Sequence, residues 1–287
     1  MNYETFCNIL NKHIFEGEKK ELLGKIAEKP ERFIGLFRPT KPVGKILQHI
    51  LQSHEIRMGD AFEEFIEEIL KEKGFICLPK RIIGQNNETL NLDQCFTDKR
   101  RIYFIEQKIR DDHDSSKKRG QMANFERKLE TLYKKHGDNL VGIIYFIDPD
   151  LTKNKYFYQK EIANLERLFE VKLYLFYGKE LFTYLKADII WDNIINWLRQ
   201  WKDSLPELPE INFDESPEKS FNEIKELELI HWRKIIQNRF LWEERIIKTI
   251  SKEGKTLKLV SEFFKSHPQK PYRYLGNLLE DKINHYY

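Results

Sequence analysis

The sequence is poor in the residues that build many catalytic and cofactor sites. Its 287 residues include only three cysteines, Cys7, Cys77 and Cys95, odd in number and far apart. With no CxxC pair, neither a disulfide framework nor a zinc site is suggested, and a reducing cytoplasm fits. No GxxxxGK[ST] or GxGxxG loop is present, so ATP-driven or dinucleotide chemistry is not indicated. HExxH is also absent, and Gly17 and Gly24 do not frame a nucleophile elbow. No apolar run is long enough to span a bilayer. The first residues lack the apolar core and small-residue cleavage site of a signal peptide, so a cytoplasmic location is expected. Internal repeats and low-complexity tracts are missing too. The net charge is only +3, set between 49 basic and 46 acidic residues, so charge clustering says more about partners than charge balance.

What is present is a soluble, globular composition. The hydrophobic set is 40 % and the aromatics 13 %, enough for a sizeable core, and the length suits one large or two modest domains. Helical spacing of Phe6, Ile9, Leu10, Ile14, Leu22, Leu23 and Ile26 predicts helix over 2–28, with Gly17 as a break. Pro39 and Pro42 bracket a stiff, non-helical stretch. Arg38 and Lys41, in that stretch, are candidates for backbone phosphates, although solvated loop charges explain them equally well. An amphipathic helix is predicted from Met58 to about Lys73, with Phe62, Phe65, Ile66, Ile69 and Leu70 on its apolar stripe. Glu63 lies at the stripe's edge, one turn beyond Gly59, although a lone acid on a helix is usually solvated.

The segment 75–83 reads as a strand. Residues 90–96 then alternate, with Leu90, Leu92 and Phe96 to one side and Asn91, Asp93 and Cys95 to the other. After a tight basic turn, residues 102–109 form the second strand of a hairpin. Its alternation puts Ile102, Phe104, Glu106 and Lys108 on one face, the last two roughly 6–7 Å apart. A polar loop caps a helix over about 117–136. Residues 139–148 and 171–178 are apolar enough to be buried strands, with a helix at 158–170 between them. The expected architecture is α/β: a mixed central sheet flanked by helices, with a helical C-terminal region. The expected division is an N-terminal helical region over 1–57, a core over 58–202, a proline-bearing linker over 203–219 and a helical region over 220–287. A helix pair turning near 266–271 is similar in outline to a helix-turn-helix.

Asp93, Glu106 and Lys108 together suit phosphodiester hydrolysis, which needs an activated water and neutralised phosphate charge. Asp93, Glu106 and the Gln107 backbone carbonyl offer the hard oxygen donors that Mg²⁺ prefers. Lys108 is placed to orient or help deprotonate the attacking water and to offset charge on the scissile phosphate, and Glu63 to complete the site as an outer or a second-metal carboxylate. Asp93 followed a dozen residues later by Glu106-Gln107-Lys108 resembles the D…ExK core of the PD-(D/E)xK nucleases, with Leu92 where that family usually has proline. Arg57 to Glu63 is similar to the acid-bearing helix that precedes the core in such enzymes. With residues 106–121, EQKIRDDHDSSKKRGQ, the chain resembles a type II restriction endonuclease of the HinfI-like group. The resemblance spans about 55–180. It implies a Mg²⁺-dependent endonuclease that cuts double-stranded DNA at a short sequence, a homodimer matched to a two-fold site, and a cognate DNA methyltransferase as functional partner. Residues 110–121 lead directly from the catalytic strand, so Arg110, His113, Ser116, Lys117, Lys118, Arg119 and Gln121 are the candidates for DNA contact. A repair or recombination nuclease with the same core is the alternative within enzymes, and a non-catalytic DNA-binding protein the alternative outside them. A surface hairpin bearing an ordinary salt bridge is the reading without function.

Overall fold

The computed structural model describes residues 1–34, 37–243 and 245–287. The chain forms two compact units, each drawn from two stretches: Met1–His13 with Arg57–Leu205, and Ile14–Ile56 with Pro206–Tyr287. Two helices open the chain, α1 (Tyr3–Phe15) and α2 (Glu18–Glu28). Gly17 separates them in the left-handed region, at φ 73°, which only glycine adopts without strain. Helix α3 (Pro42–Glu72) begins sixteen residues before the Met58 start expected from sequence. Pro42 suits a first helical position, where no N–H is needed.

The segment expected as one strand over 75–83 is two, β1 (Ile76–Cys77) and β2 (Arg81–Ile83), in different sheets. Pro79 lies between them and has no N–H to continue a ladder. Residues 90–96 are likewise divided, into β3 (Thr89–Asn91) and β4 (Gln94–Thr97). Asp93 sits on the bend between the two. The bend shifts the predicted alternation: Leu92 and Cys95, expected on opposite sides, share one buried cluster with Phe104.

Strand β5 (Ile102–Lys108) pairs antiparallel with β4. Helix α4 (Ser115–His136) leads to β6 (Leu140–Phe146), and α5 (Lys155–Phe169) to β7 (Lys172–Tyr177). The main sheet runs β1-β4-β5-β6-β7, with β5, β6 and β7 parallel. It is therefore mixed and flanked by helices, as expected from sequence. Every residue of β6 is buried, as its unbroken apolar run requires of a central strand. At Gly142 an added Cβ would lie 2.8 Å from both Phe104 and Leu173, so the layer closes only because that position has no side chain. Phe104 stacks on Phe125 of α4 at 5.0 Å, and on the opposite face Phe96 stacks on Tyr103 at 5.0 Å. Helices α6 (Lys179–Tyr184) and α7 (Asp188–Asp203) complete this unit.

The second unit is helical. To α2 and the 14–56 stretch it adds α8 (Pro217–Ile224), α9 (Leu229–Gln237), α10 (Arg239–Glu243), α11 (Ile246–Ile250), α12 (Lys255–Ser266) and α13 (Lys270–Tyr286). Its core joins Leu22, Leu23 and Ile26 to Trp232, Phe264 and Leu279, all nearly inaccessible to solvent. Asp214 is buried in this unit. It accepts the N–H groups of Thr256 and Glu253 at 2.8 Å each and the Ser251 hydroxyl at 3.0 Å.

Candidate active site

The alternation of β5 decides which side chains meet. Phe104, Glu106 and Lys108 face α4, while Gln107 faces α3. Glutamine clips hold α3 against the sheet: Gln94 Nε2 donates to the Glu63 carbonyl at 2.7 Å, and Gln107 Nε2 to the Gly59 carbonyl at 3.3 Å. Gly59 and Glu63 are one turn apart, so both carbonyls fall on the same helix face.

Asp93 is the hub. Its Oδ2 accepts the backbone N–H of Gln107 at 2.7 Å and the Lys108 ammonium at 3.3 Å. The same ammonium donates to the Gln107 carbonyl at 2.6 Å. A cationic group thus lies on two of the three oxygen donors singled out in the sequence. Glu106, the third, is buried and accepts from Lys128 Nζ at 2.6 Å. That ion pair is nearly dry, with the side chains 10 % and 6 % exposed.

The local field is rich in negative charge. Burial, reinforced by the charge of Asp93, pushes the Glu106 carboxyl up to about 7 despite Lys128 and Lys108. Burial and then Asp93 also push Glu63 up to about 7, against the pull of Lys80. Both acids resist ionising chiefly because they are buried, with repulsion from Asp93 second. An oxygen-binding divalent cation fits this donor set, since it would relieve that repulsion. Among the described residues no group of three or more His, Cys, Asp or Glu side chains converges as a metal site. The donors present are two carboxylates and one carbonyl, which leaves room for the waters that Mg²⁺ retains.

The remaining candidates divide by environment. Asp114 caps α4 by accepting the Lys117 N–H at 2.8 Å. Ser116, Lys117 and Arg119 are exposed on the first turns of that helix. Lys118 instead donates to Asn154 Oδ1 at 3.0 Å and lies over the Phe157 ring at 4.8 Å. Gln121 accepts the Tyr158 hydroxyl at 2.5 Å. Arg110 lies 3.9 Å from Asp112. His113 lies 3.5 Å from the same acid through Nδ1, and its Nε2 is buried without a hydrogen-bond partner. The loop carrying them is pinned from below: buried Asp111 accepts from the Asn154 N–H, the Asn154 amide and the Tyr177 hydroxyl. Arg38 and Lys41 are exposed on the other unit.

Sequence reasoning missed Lys128 and Gln94. Lys128 did leave a signal. It falls three residues after Phe125 and four before Leu132, on the apolar stripe of α4, where a lysine needs a buried acid as partner.

Comparison with protein families gives a decisive match. The model of the family described as type II restriction endonuclease, HinfI, matches residues 2–88 and 76–202. No curated protein matches the chain. The chain belongs to the HinfI family of type II restriction endonucleases and is a site-specific deoxyribonuclease.

Proposed function

We propose that this enzyme hydrolyses duplex DNA within or near a short recognition sequence, using Mg²⁺, as the nuclease of a restriction–modification system. The observation that carries the reading is Asp93 held between the Gln107 N–H and the Lys108 ammonium, with Glu106 alongside. Asp93, Glu106 and the Gln107 carbonyl would hold the cation. When bound, it neutralises charge on the phosphate oxygens and makes a water more acidic. Lys108 Nζ orients the attacking water and offsets charge on the scissile phosphate. The Gln107 N–H fixes the Asp93 carboxylate, and Lys128 fixes that of Glu106, so both are set before DNA arrives. Glu63 is an outer carboxylate of the same centre.

Lys117, Arg119 and Ser116 contact the DNA backbone, joined by Arg110 and His113 from the pinned loop and by Arg38 and Lys41. Lys118 and Gln121 support this surface through Asn154 and Tyr158. A palindromic site cut on both strands calls for two such centres, hence a homodimer. A cognate methyltransferase protects the host's copies of the same sequence. The setting is the cytoplasm; among the described residues no helix is long and apolar enough to cross a membrane.

The test is incubation of the purified protein with Mg²⁺ and unmethylated phage DNA, followed by sequencing of the fragment ends. Discrete fragments with a common end sequence support the reading. Random ends or structure-dependent cutting would favour a repair nuclease.

A further inference from the structure

Far from any acid of the D…ExK motif in sequence, the helical unit contains a cavity of about 390 Å³ whose wall is almost wholly cationic. Lys25, Lys29, Arg32, Arg38 and Lys45 line it, together with His49, Gln52 and Phe33, and no carboxylate does. The chain brings these residues together from three directions. Lys25 is in the last turn of α2, and Lys29 and Arg32 belong to the short turn that follows. Lys45, His49 and Gln52 recur at helical spacing along one face of α3.

Two of the cations have partners: Lys25 lies 3.5 Å from Glu28, and Lys45 donates to Gln48 at 2.8 Å. Among the described residues, no carboxylate pairs with Lys29, Arg32 or Arg38. Their mutual repulsion opposes folding, and a bound polyanion would offset it. His49 registers the excess: burial lowers its pKa first, and Lys45, Lys25 and Arg32 lower it further, against Glu21 alone. Phe33 is 2 % exposed and meets His49 edge to face at 5.7 Å, so it offers no open ring on which a base could stack. The lining thus suits phosphate groups and not bases: lysines act as point charges and arginines as planar forks.

We propose that this cavity is a second phosphate-binding site, carried by the helical unit, which takes the sugar–phosphate backbone of duplex DNA through Lys29, Arg32 and Arg38. The proposal rests on the DNA-cleaving reading for its ligand, but it is scored by binding instead of cutting.

The test uses the full-length chain with Ca²⁺ in place of Mg²⁺ and a fluorescent 30-base-pair duplex, titrated from low to moderate salt. Lys29→Ala/Arg32→Ala should weaken binding about ten-fold near physiological salt. It should also flatten the slope of log K against log salt by about 0.9 for each phosphate that the variant no longer neutralises. The thermal midpoint should stay unchanged or rise, because repulsion is removed. Arg38→Ala, outside the helices, should move binding the same way by a smaller factor and serves if the double variant fails to fold. Parental affinity and slope in folded variants would overturn the proposal. Inorganic phosphate, compared with chloride at equal ionic strength, separates the two sources of ligand. If it raises the thermal midpoint of the parent but not of the double variant, while duplex affinity is the same in both, the site belongs to a free phosphate compound and the DNA assignment fails. If the parent never cuts DNA yet the slope still falls in the variant, the nuclease reading fails and this site stands.

Discussion

Asp214 and Asp93 are both carboxylates drawn into the protein, and their surroundings differ. Burial raises the pKa of Asp214, but N–H donors from Thr256 and Glu253 with the Ser251 hydroxyl outweigh it and hold the carboxyl below its usual range. Asp93 accepts the Gln107 N–H and the Lys108 ammonium but shares its surroundings with further acids: burial first, and then the Asp93 charge, push Glu63 and Glu106 up to about 7. The first arrangement ties a loop to the start of a helix and leaves no charge unmet. The second leaves negative charge that its lysines offset only in part. An acid whose charge is fully met by donors builds the fold, whereas one crowded by other acids retains a deficit that a ligand can fill.

Substitutions at six positions sharpen or break that contrast. Asp93→Ala or Lys108→Ala should lower Mg²⁺-dependent cleavage by about a thousand-fold or more, the scale of losing a charge-stabilising group. DNA binding in Ca²⁺ should be largely retained, and cleavage at the parental rate would remove these residues from the centre. Lys128→Ala leaves Glu106 buried without its partner and should cost about 3–5 kcal/mol in denaturant unfolding. Lys128→Arg should restore most of it, and a cost under about 1 kcal/mol would mean the pair is solvated. Asp214→Ala should cost about 2–3 kcal/mol, because it strands buried donors, with cleavage by the folded fraction unchanged. Its pH signature follows from the lowered folded-state pKa. The stabilisation is complete above the ordinary aspartate value of about 3.9 and is lost as the pH falls through the folded value, so Asp214→Asn should flatten the acid limb of stability below about pH 4. Lys117→Ala or Arg119→Ala should have the smallest effect, a few-fold loss of DNA affinity and a salt slope flatter by about 0.9 each. Unchanged slopes would take them off the DNA.

Much of the first unit was legible because its strands carry strong signals. The shared side of Glu106 and Lys108 followed from the period of β5, and the burial of β6 from its apolar run. The N-cap of α4 was readable from Asp114 and its neighbours. Less visible was the bend at Asp93. Leu90 to Phe96 alternates as one strand would, and only pairing with different partners divides it. Lys128 was missed because a single lysine on an apolar stripe is easily read as an imperfect helix face. That residues 14–56 share a core with 206–287 could not be read at all, since Leu22 meets Trp232 only in three dimensions.

Gly142 places an unexpected limit on redesign of this nuclease. A methyl group there would press on Phe104, the residue two before Glu106 on the same face of β5. Alanine is the mildest replacement available, and even its methyl group must displace the edge of the Phe104 ring and a Leu173 methyl in the packed layer beside Glu106. Position 142 should therefore stay out of any library of variants.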